Sequence, residues 1–398
     1  MQSQLEQMEK DFGIKWQEYR LGDLFEFEAI KQAKSQRKIP TDNTENGVPY
    51  IVQSMFNNMI SRKVNKQWLI DHGEPPVSGN RIVLGVTLPA VSYQSREFGA
   101  SQVITAKADW LNQQNGIFIL TVISKLMCQF SYSCKPGMKI YKDMKILLPA
   151  ITKDGKLQIA FDFIEKFMAA IQVEHIDTLQ ADRNATLQAY LTAAGLNNYT
   201  LTEAEQAALD DLDAAAWGTF KIEEVLVWQK HISELNPLHL DSLTVSEEKK
   251  YPFYGQATTN NGIIEYRHLK DEVLNNKSGK STILIHSNNQ NIVYLDTPFY
   301  LKDGHGATSV LQSKNLNKIT AQFLIGSIKK VIQQKYSYNS KATKIELKST
   351  EINLPVKSNG TPDYDYMTLV ILAMKKVVIK NVVDYLDMRI EKTVELMN

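Results

Sequence analysis

The chain holds 398 residues, enough for two or three domains, and its 43% hydrophobic and 22% charged residues are ordinary for a folded globular protein, which excludes disordered and fibrous classes. Two cysteines, Cys128 and Cys134, lie in no CxxC pattern, and no 18-residue apolar run occurs, so no disulfide framework, metal site or membrane span is expected and a reducing cytoplasm is. The net charge of +1 hides an uneven distribution: residues 15–150 carry 17 Lys/Arg against 11 Asp/Glu and residues 217–356 carry 17 against 13, while residues 151–216 carry 4 against 11. Two basic blocks around an acidic segment point to a polyanionic partner, because the field near a surface is local.

In chain order, residues 1–150 form a first globular block. Short runs rich in Val, Ile, Tyr and Thr, 81–86 and 102–106, read as strands, and apolar residues returning every three or four positions predict a helix over 115–129. Residues 151–216 follow as a long spacer helix with an apolar stripe at Phe161, Ile164, Met168, Ile171 and His175, then a short helix opened by the capping box Thr202 and Glu205. Residues 217–356 form a second block with strands at 281–286 and 291–295 and a helix over 318–333. Residues 357–398 form a second long helix, striped by Ile371, Met374, Val378, Val382 and Tyr385.

The two halves repeat one another. Trp16, Tyr19, Arg20, Leu21, Asp23 and Leu24 return 201 residues later as Trp217, Phe220, Lys221, Ile222, Glu224 and Val225. Pro49, Tyr50, Gln53, Asn57, Asn58 and Ile60 return at an offset of 203, and Ser131, Tyr132, Lys135, Leu148 and Pro149 at 206. Four ordered blocks of similarity, the last matching Phe161-Asp162-Phe163-Ile164 to Tyr364-Asp365-Tyr366-Met367, indicate a duplication. The expected fold is α+β: two mixed α/β domains joined by two long, paired, antiparallel helices with an internal pseudo-twofold. About 35 helical residues span roughly 50 Å, so the helices would fix the distance between two blocks reading one duplex.

The candidate reading residues are amides and aromatics in polar loops. Gln53, Asn57 and Asn58, and Gln256, Asn260 and Asn261, offer donor and acceptor together, as bidentate contact with adenine requires. The segment holding His286, Asn288 and Asn289 offers similar groups, as does its expected counterpart 92–96 with Tyr93, Gln94 and Arg96; Tyr132, Lys135, Tyr338 and Lys341 suit phosphates. Asn and Ser also favour turns for local backbone reasons, so each residue singly reads equally as turn chemistry.

These features resemble the specificity subunits of type I restriction-modification systems, which have two target-recognition domains each followed by a long helix. The residues carrying the resemblance are Trp217 to Val225, Tyr251-Pro-Phe-Tyr-Gly-Gln with Asn260-Asn261-Gly262, Lys335-Tyr336-Ser337-Tyr338, and Ile352-Asn353-Leu354-Pro355. The segments 193–205 and 363–367 are similar also to the recognition subunits of type IIB systems. The resemblance implies a non-catalytic DNA-recognition subunit reading a bipartite, asymmetric target. It implies further that the helices, through Ile164, Met168, Ile171, Ile371, Met374 and Val378, dock two methyltransferase subunits that carry S-adenosylmethionine, with a nuclease-translocase subunit as a further partner.

Two other readings are weighed. A methyltransferase acting by itself needs an Asn-Pro-Pro-Tyr-like loop, and the nearest string, Asn236-Pro237-Leu238-His239, lacks the second proline and the aromatic. Asp363 with Glu346-Leu347-Lys348 only imitates a nuclease cluster, and Gly304-His305-Gly306 reads as a flexible loop. A repeat-built scaffold that binds protein would have the same helices but would not need basic blocks with amide-rich loops.

Overall fold

The computed structural model describes residues 2–33, 36–131, 134–245, 249–337 and 340–397. The chain divides into two units: Met1–Ala181 with Lys392–Asn398, and Asp182–Glu391.

The first unit opens with α1 (Gln2–Phe12), β1 (Lys15–Arg20), α2 (Leu21–Leu24) and β2 (Glu26–Ile30). Then come β3 (Gly47–Ile51), β4 (Ile60–Asn65), α3 (Lys66–Asp71), β5 (Arg81–Gly85), β6 (Val91–Gln94), β7 (Gly99–Ala100) and β8 (Val103–Lys107). It closes with α4 (Gln113–Met127), α5 (Met138–Asp143), β9 (Lys145–Lys153), β10 (Lys156–Ile159) and the start of α6 (Phe161–Ala194). The sheet β2-β8-β5-β6 is antiparallel, and a second sheet, β4-β3-β7, sets β3 and β7 parallel. Every residue of β5 is buried because both its faces are covered, and its period-2 alternation sorts them. Ile82 and Leu84 pack with Phe118, Ile119 and Ile123 of α4 and with Phe163 and Ile164 of α6, while Val83 packs with Ile51, Met59 and Phe98. α4 begins where Asn112 and Asn115 cap one another reciprocally.

The second unit repeats this order. α7 (Glu203–Asp210) stands where α1 stands, followed by β11 (Trp217–Lys221), α8 (Ile222–Val225), β12 (Val227–Trp228), β13 (Glu234–Leu235), β14 (Tyr251–Tyr254) and β15 (Ile263–Arg267). β16 (Thr282–His286), β17 (Ile292–Leu295), β18 (Tyr300–Lys302) and β19 (Thr308–Gln312) precede α9 (Thr320–Lys335), α10 (Lys344–Ser349), β20 (Glu351–Pro355) and α11 (Tyr364–Met397). Its sheets are β12-β19-β16-β17 and β13-β18-β14-β15. The core alternates as before: Ile283 and Ile285 face Leu324, Ile328 and Ile332 of α9, while Leu284 faces Tyr254, Phe299 and Leu301.

Both long helices are 34 residues, and each is divided between the units. Within the second unit they run antiparallel: Arg183 forms a two-bonded ion pair with Asp387 (2.9 and 3.0 Å), and Leu191 packs with Ile379 and Val383. Within the first, Gln172 donates to the Met397 carbonyl (3.5 Å) and Gln113 to that of Leu396 (3.0 Å). The helix α7 docks on α11 through Lys376, whose Nζ donates to Glu205 at 2.8 Å with both side chains buried, and through the Tyr366 hydroxyl, which donates to the Ala208 carbonyl. The Thr202–Glu205 capping box expected from the sequence is formed.

The expected stripes need correction. Ile164 is fully buried in the first core and cannot dock a partner; Met168 and Ile171 are half-buried. On α11 the buried face is Met367, Val370, Ala373, Ile379 and Val383, whereas Met374 and Val378 are 52% and 57% exposed and Ile371 is half-buried. The helix has two apolar faces set one residue, about 100°, apart. Ala373 and the ion-paired Lys376 lower the hydrophobicity of the face that packs, so a count of large apolar residues selects the face that does not. Among the described residues, no helix is long and apolar enough to cross a membrane, and no group of three or more His, Cys, Asp and Glu is placed to hold a metal.

Candidate nucleic-acid interface

In each unit the topology gathers three loops. Because β3 and β7 are parallel neighbours, the chain leaves both at the same end, so residues 52–58 and 101–102 emerge together; the Ser101 amide donates to the Ile51 carbonyl at 3.1 Å. The tip of the β5–β6 hairpin, residues 86–90, joins them through Gln53, whose Oε1 accepts from the amides of Thr87 (2.6 Å) and Leu88 (3.2 Å). The second unit repeats the arrangement with β14 and β18 parallel. There Gln256 Oε1 accepts from Asn288 Nδ2 at 2.6 Å, and the Gln256 backbone carbonyl accepts from Asn289 Nδ2. Gln53 and Gln256 are therefore one clasp used twice, each holding a hairpin tip.

The paired asparagines are also built twice. Asn57 and Asn58 (φ 49° each), like Asn260 and Asn261 (φ 46° and 51°), occupy the left-handed region, which asparagine tolerates better than most residues. Asn57 Nδ2 donates to the Ile60 carbonyl at 2.9 Å and Asn260 Nδ2 to that of Ile263 at 3.1 Å. Asn58 Nδ2 reaches the Tyr93 carbonyl at 3.0 Å. All four are exposed, but the turn itself engages Asn57 and Asn260, Asn58 is tied to β6, and among the described residues no side-chain bond of this kind engages Asn261. Beside Asn57, Phe56 is 80% exposed at the head of the same turn.

Several expected contact residues are not at the surface. His286 is completely buried: its Nδ1 meets Thr308 Oγ1 at 2.9 Å, its Nε2 has no partner among the described residues, and burial depresses its pKa to about 4. Tyr93 is core, its hydroxyl donating to Asn80 at 2.6 Å and its ring covering Gly116, where a Cβ would come within 2.6 Å of it. Gln94 is buried and donates to the Asn58 carbonyl and to Ser92 Oγ. Nor is 92–96 the counterpart of 286–291. The strand pairing aligns Ile285–Ile292 with Leu84–Val91, so the hairpin turn 286–291 corresponds to 85–90. Arg96 is exposed at the far end of β6, near Asn80, Ser95 and Gln113. Lys135 and Lys341 are exposed, and Tyr132 and Tyr338 lie outside the described residues.

One loop escapes the amide pattern. Between β18 and β19 the second unit carries residues 303–307 where the first has only 101–102, so the offset between the units rises from 201 at β18 to 205 at β19. The Glu234 carboxylate accepts from the amides of Gly304 and Gly306, both at 3.1 Å, and Asp303 accepts from that of His305 at 2.8 Å. The glycine loop is thus clamped, where the sequence suggested flexibility. Its tip, His305 (φ 53°), has a 95% exposed side chain, and Gln102 (φ 55°) is exposed at the equivalent turn of the first unit. Lys302 lies against Gly255 and Lys344 approaches Gly306, so two cations border the second cluster. The jump in offset was the available sequence signal.

The sequence profile described as the type I restriction modification DNA specificity domain matches residues 13–181 and again 216–384. The specificity subunit S.BcgI of the type II restriction enzyme BgcI from Heyndrickxia coagulans is 25% identical over 381 residues, covering 92% of this chain and 96% of that one. Among solved structures, the type I restriction-modification S subunit from M. genitalium aligns at 12% identity and a TM-score of 0.37, covering 96% of this chain and 94% of that one. The HsdS subunit from Thermoanaerobacter tengcongensis aligns at 13% and 0.41 with the same coverage.

Proposed function

The chain belongs to the type I restriction modification DNA specificity family, and from that premise we propose that each unit reads one half of a bipartite, asymmetric DNA target through its three-loop cluster. It is a recognition component; the catalysis of the system lies in other subunits. The observation that carries the reading is the repetition of one loop scaffold with different side chains on it. Gln53 and Gln256 hold the same hairpin, yet Thr87 and Leu88 stand where the second unit has Asn288 and Asn289. Equal scaffolds with unequal surfaces suit two unlike half-sites on one duplex.

The exposed apolar face of α11, with Met374, Val378 and Tyr385, is the docking surface for a methyltransferase. Duplication of the scaffold favours two such subunits, each bringing its own S-adenosylmethionine and methylating adenine in the cytoplasm, with a nuclease subunit as a further partner. The test is a block exchange. Replacing residues 217–356 by the second block of a relative, assembling the complex and sequencing the modified sites should change one half-site and leave the other half and the gap intact. Binding of the target duplex should fall steeply with salt as phosphate counterions are released. If both half-sites changed together, a composite surface would read the bases and the modular assignment would fail.

A further inference from the structure

Building on the reading of the second unit as a DNA-recognition domain, we propose that His305 is a specificity-determining residue of the half-site read by that unit, donating from its imidazole N–H to a base-edge acceptor, guanine O6 or N7. Several observations converge. The ring is the most outward side chain of a loop that lies in the cluster organised by Gln256, whose amide Nε2 packs against Gly304. The loop is held by backbone-directed acceptors, Glu234 on Gly304 and Gly306 and Asp303 on the His305 amide, so the ring is displayed from a fixed base and little order remains to be imposed on binding.

A left-handed φ at a residue bearing a Cβ is unfavourable, and here it buries nothing, since the imidazole makes no contact with the core. The same backbone state recurs at Gln102, so the scaffold presents one exposed side chain at this turn in both units and differs in which one. The loop is also longer in the second unit than in the first, hence a place where the two clusters differ in reach. Lys302 and Lys344 at the border are suited to phosphates, and from its own loop the Asp303 carboxylate lies 3.6 Å from the ring's Nδ1.

The experiment uses the full chain assembled with its methyltransferase and a randomised duplex pool, the modified sites being read by sequencing. His305→Ala should lose about tenfold discrimination at one base position. That position should lie in the half-site that moves when residues 217–356 are exchanged, with the other half-site and total binding to non-specific DNA unchanged. His305→Gln, which copies the residue displayed at the first unit's turn, should restore a preference at that position, toward adenine. An unchanged recognition logo for His305→Ala would overturn the inference. So would a uniform loss of affinity across sequences with the salt slope reduced by about one, because that is the signature of a phosphate contact. A wild-type complex that selected no two-part target would instead sink the DNA-reading assignment itself, and the inference with it.

Discussion

His286 shows how a side chain of the right chemistry is used for folding. Its imidazole is buried between β17 and β19 and bonded to Thr308, and the low-dielectric surroundings disfavour the imidazolium and bring the pKa to about 4 from an ordinary 6.5. Because the folded value is below the unfolded one, the neutral ring's contribution is fully present above about pH 6.5. It is lost as pH falls toward 4, to a total of about 3 kcal/mol. Hydrogen exchange of the β16 amides should accelerate over that interval, while those of β5, which ends in Gly85 at the same place, should not. The buried ion pair behaves differently. Burial pushes the Glu205 carboxyl up, but the bonds from Lys376 and Thr202 outweigh it and hold the pKa below the usual range. Lys376→Met would leave that carboxylate buried without its cation and should destabilise α7 on α11 by about 3–5 kcal/mol, read by denaturant titration.

At the scale of elements, the two faces of α11 make opposite predictions. Leu191→Ala, on the seam with Ile379 and Val383, should cost about 2–4 kcal/mol in unfolding free energy with no direct effect on partner affinity. Met374→Asp with Val378→Asp should cost less than the seam substitution, about 1 kcal/mol, because both side chains are half exposed, and should abolish co-elution with the methyltransferase. Retained assembly would remove that face from the interface. This division was only half legible in the sequence. The duplication, the Thr202 capping box and the alternating strands could be read because they depend on local spacing and turn chemistry. Which stripe of α11 is covered depends on α7 and α6, whose contacts with it come from 158 to 204 residues away in the chain. Likewise, nothing in the string His-Ser-Asn-Asn-Gln-Asn reveals that Thr308 and Ala342 close over its first two residues.

For the whole molecule, the repeat implies that base reading and spacing are separable properties. The first unit ends at Ala181 on one long helix and takes up again at Lys392 on the other. Adding one heptad to each helix, after Gln180 and after Ile390, lengthens them by about 10 Å, close to three base-pair rises, and keeps the apolar seams nearly in phase. The modified sites should then show an altered gap between unchanged half-sites, measured by the same sequencing readout. A change in the bases themselves would mean that the helices take part in reading. The Gln clasp adds a further consequence, one of mutational freedom. In the first unit Gln53 grips the backbone amides of Thr87 and Leu88, so the clasp needs neither side chain; Leu88 packs against the core with Val83 and Phe98, which leaves Thr87 as the position that can vary without loosening the hairpin. In the second, Gln256 Oε1 grips the side chain of Asn288, and a new residue there forfeits that bond and leaves only the one from Asn289 to the Gln256 carbonyl. At this hairpin the two units are thus unequally open to evolution: the first can change Thr87 in a single step, whereas in the second a change at Asn288 also loosens the clasp.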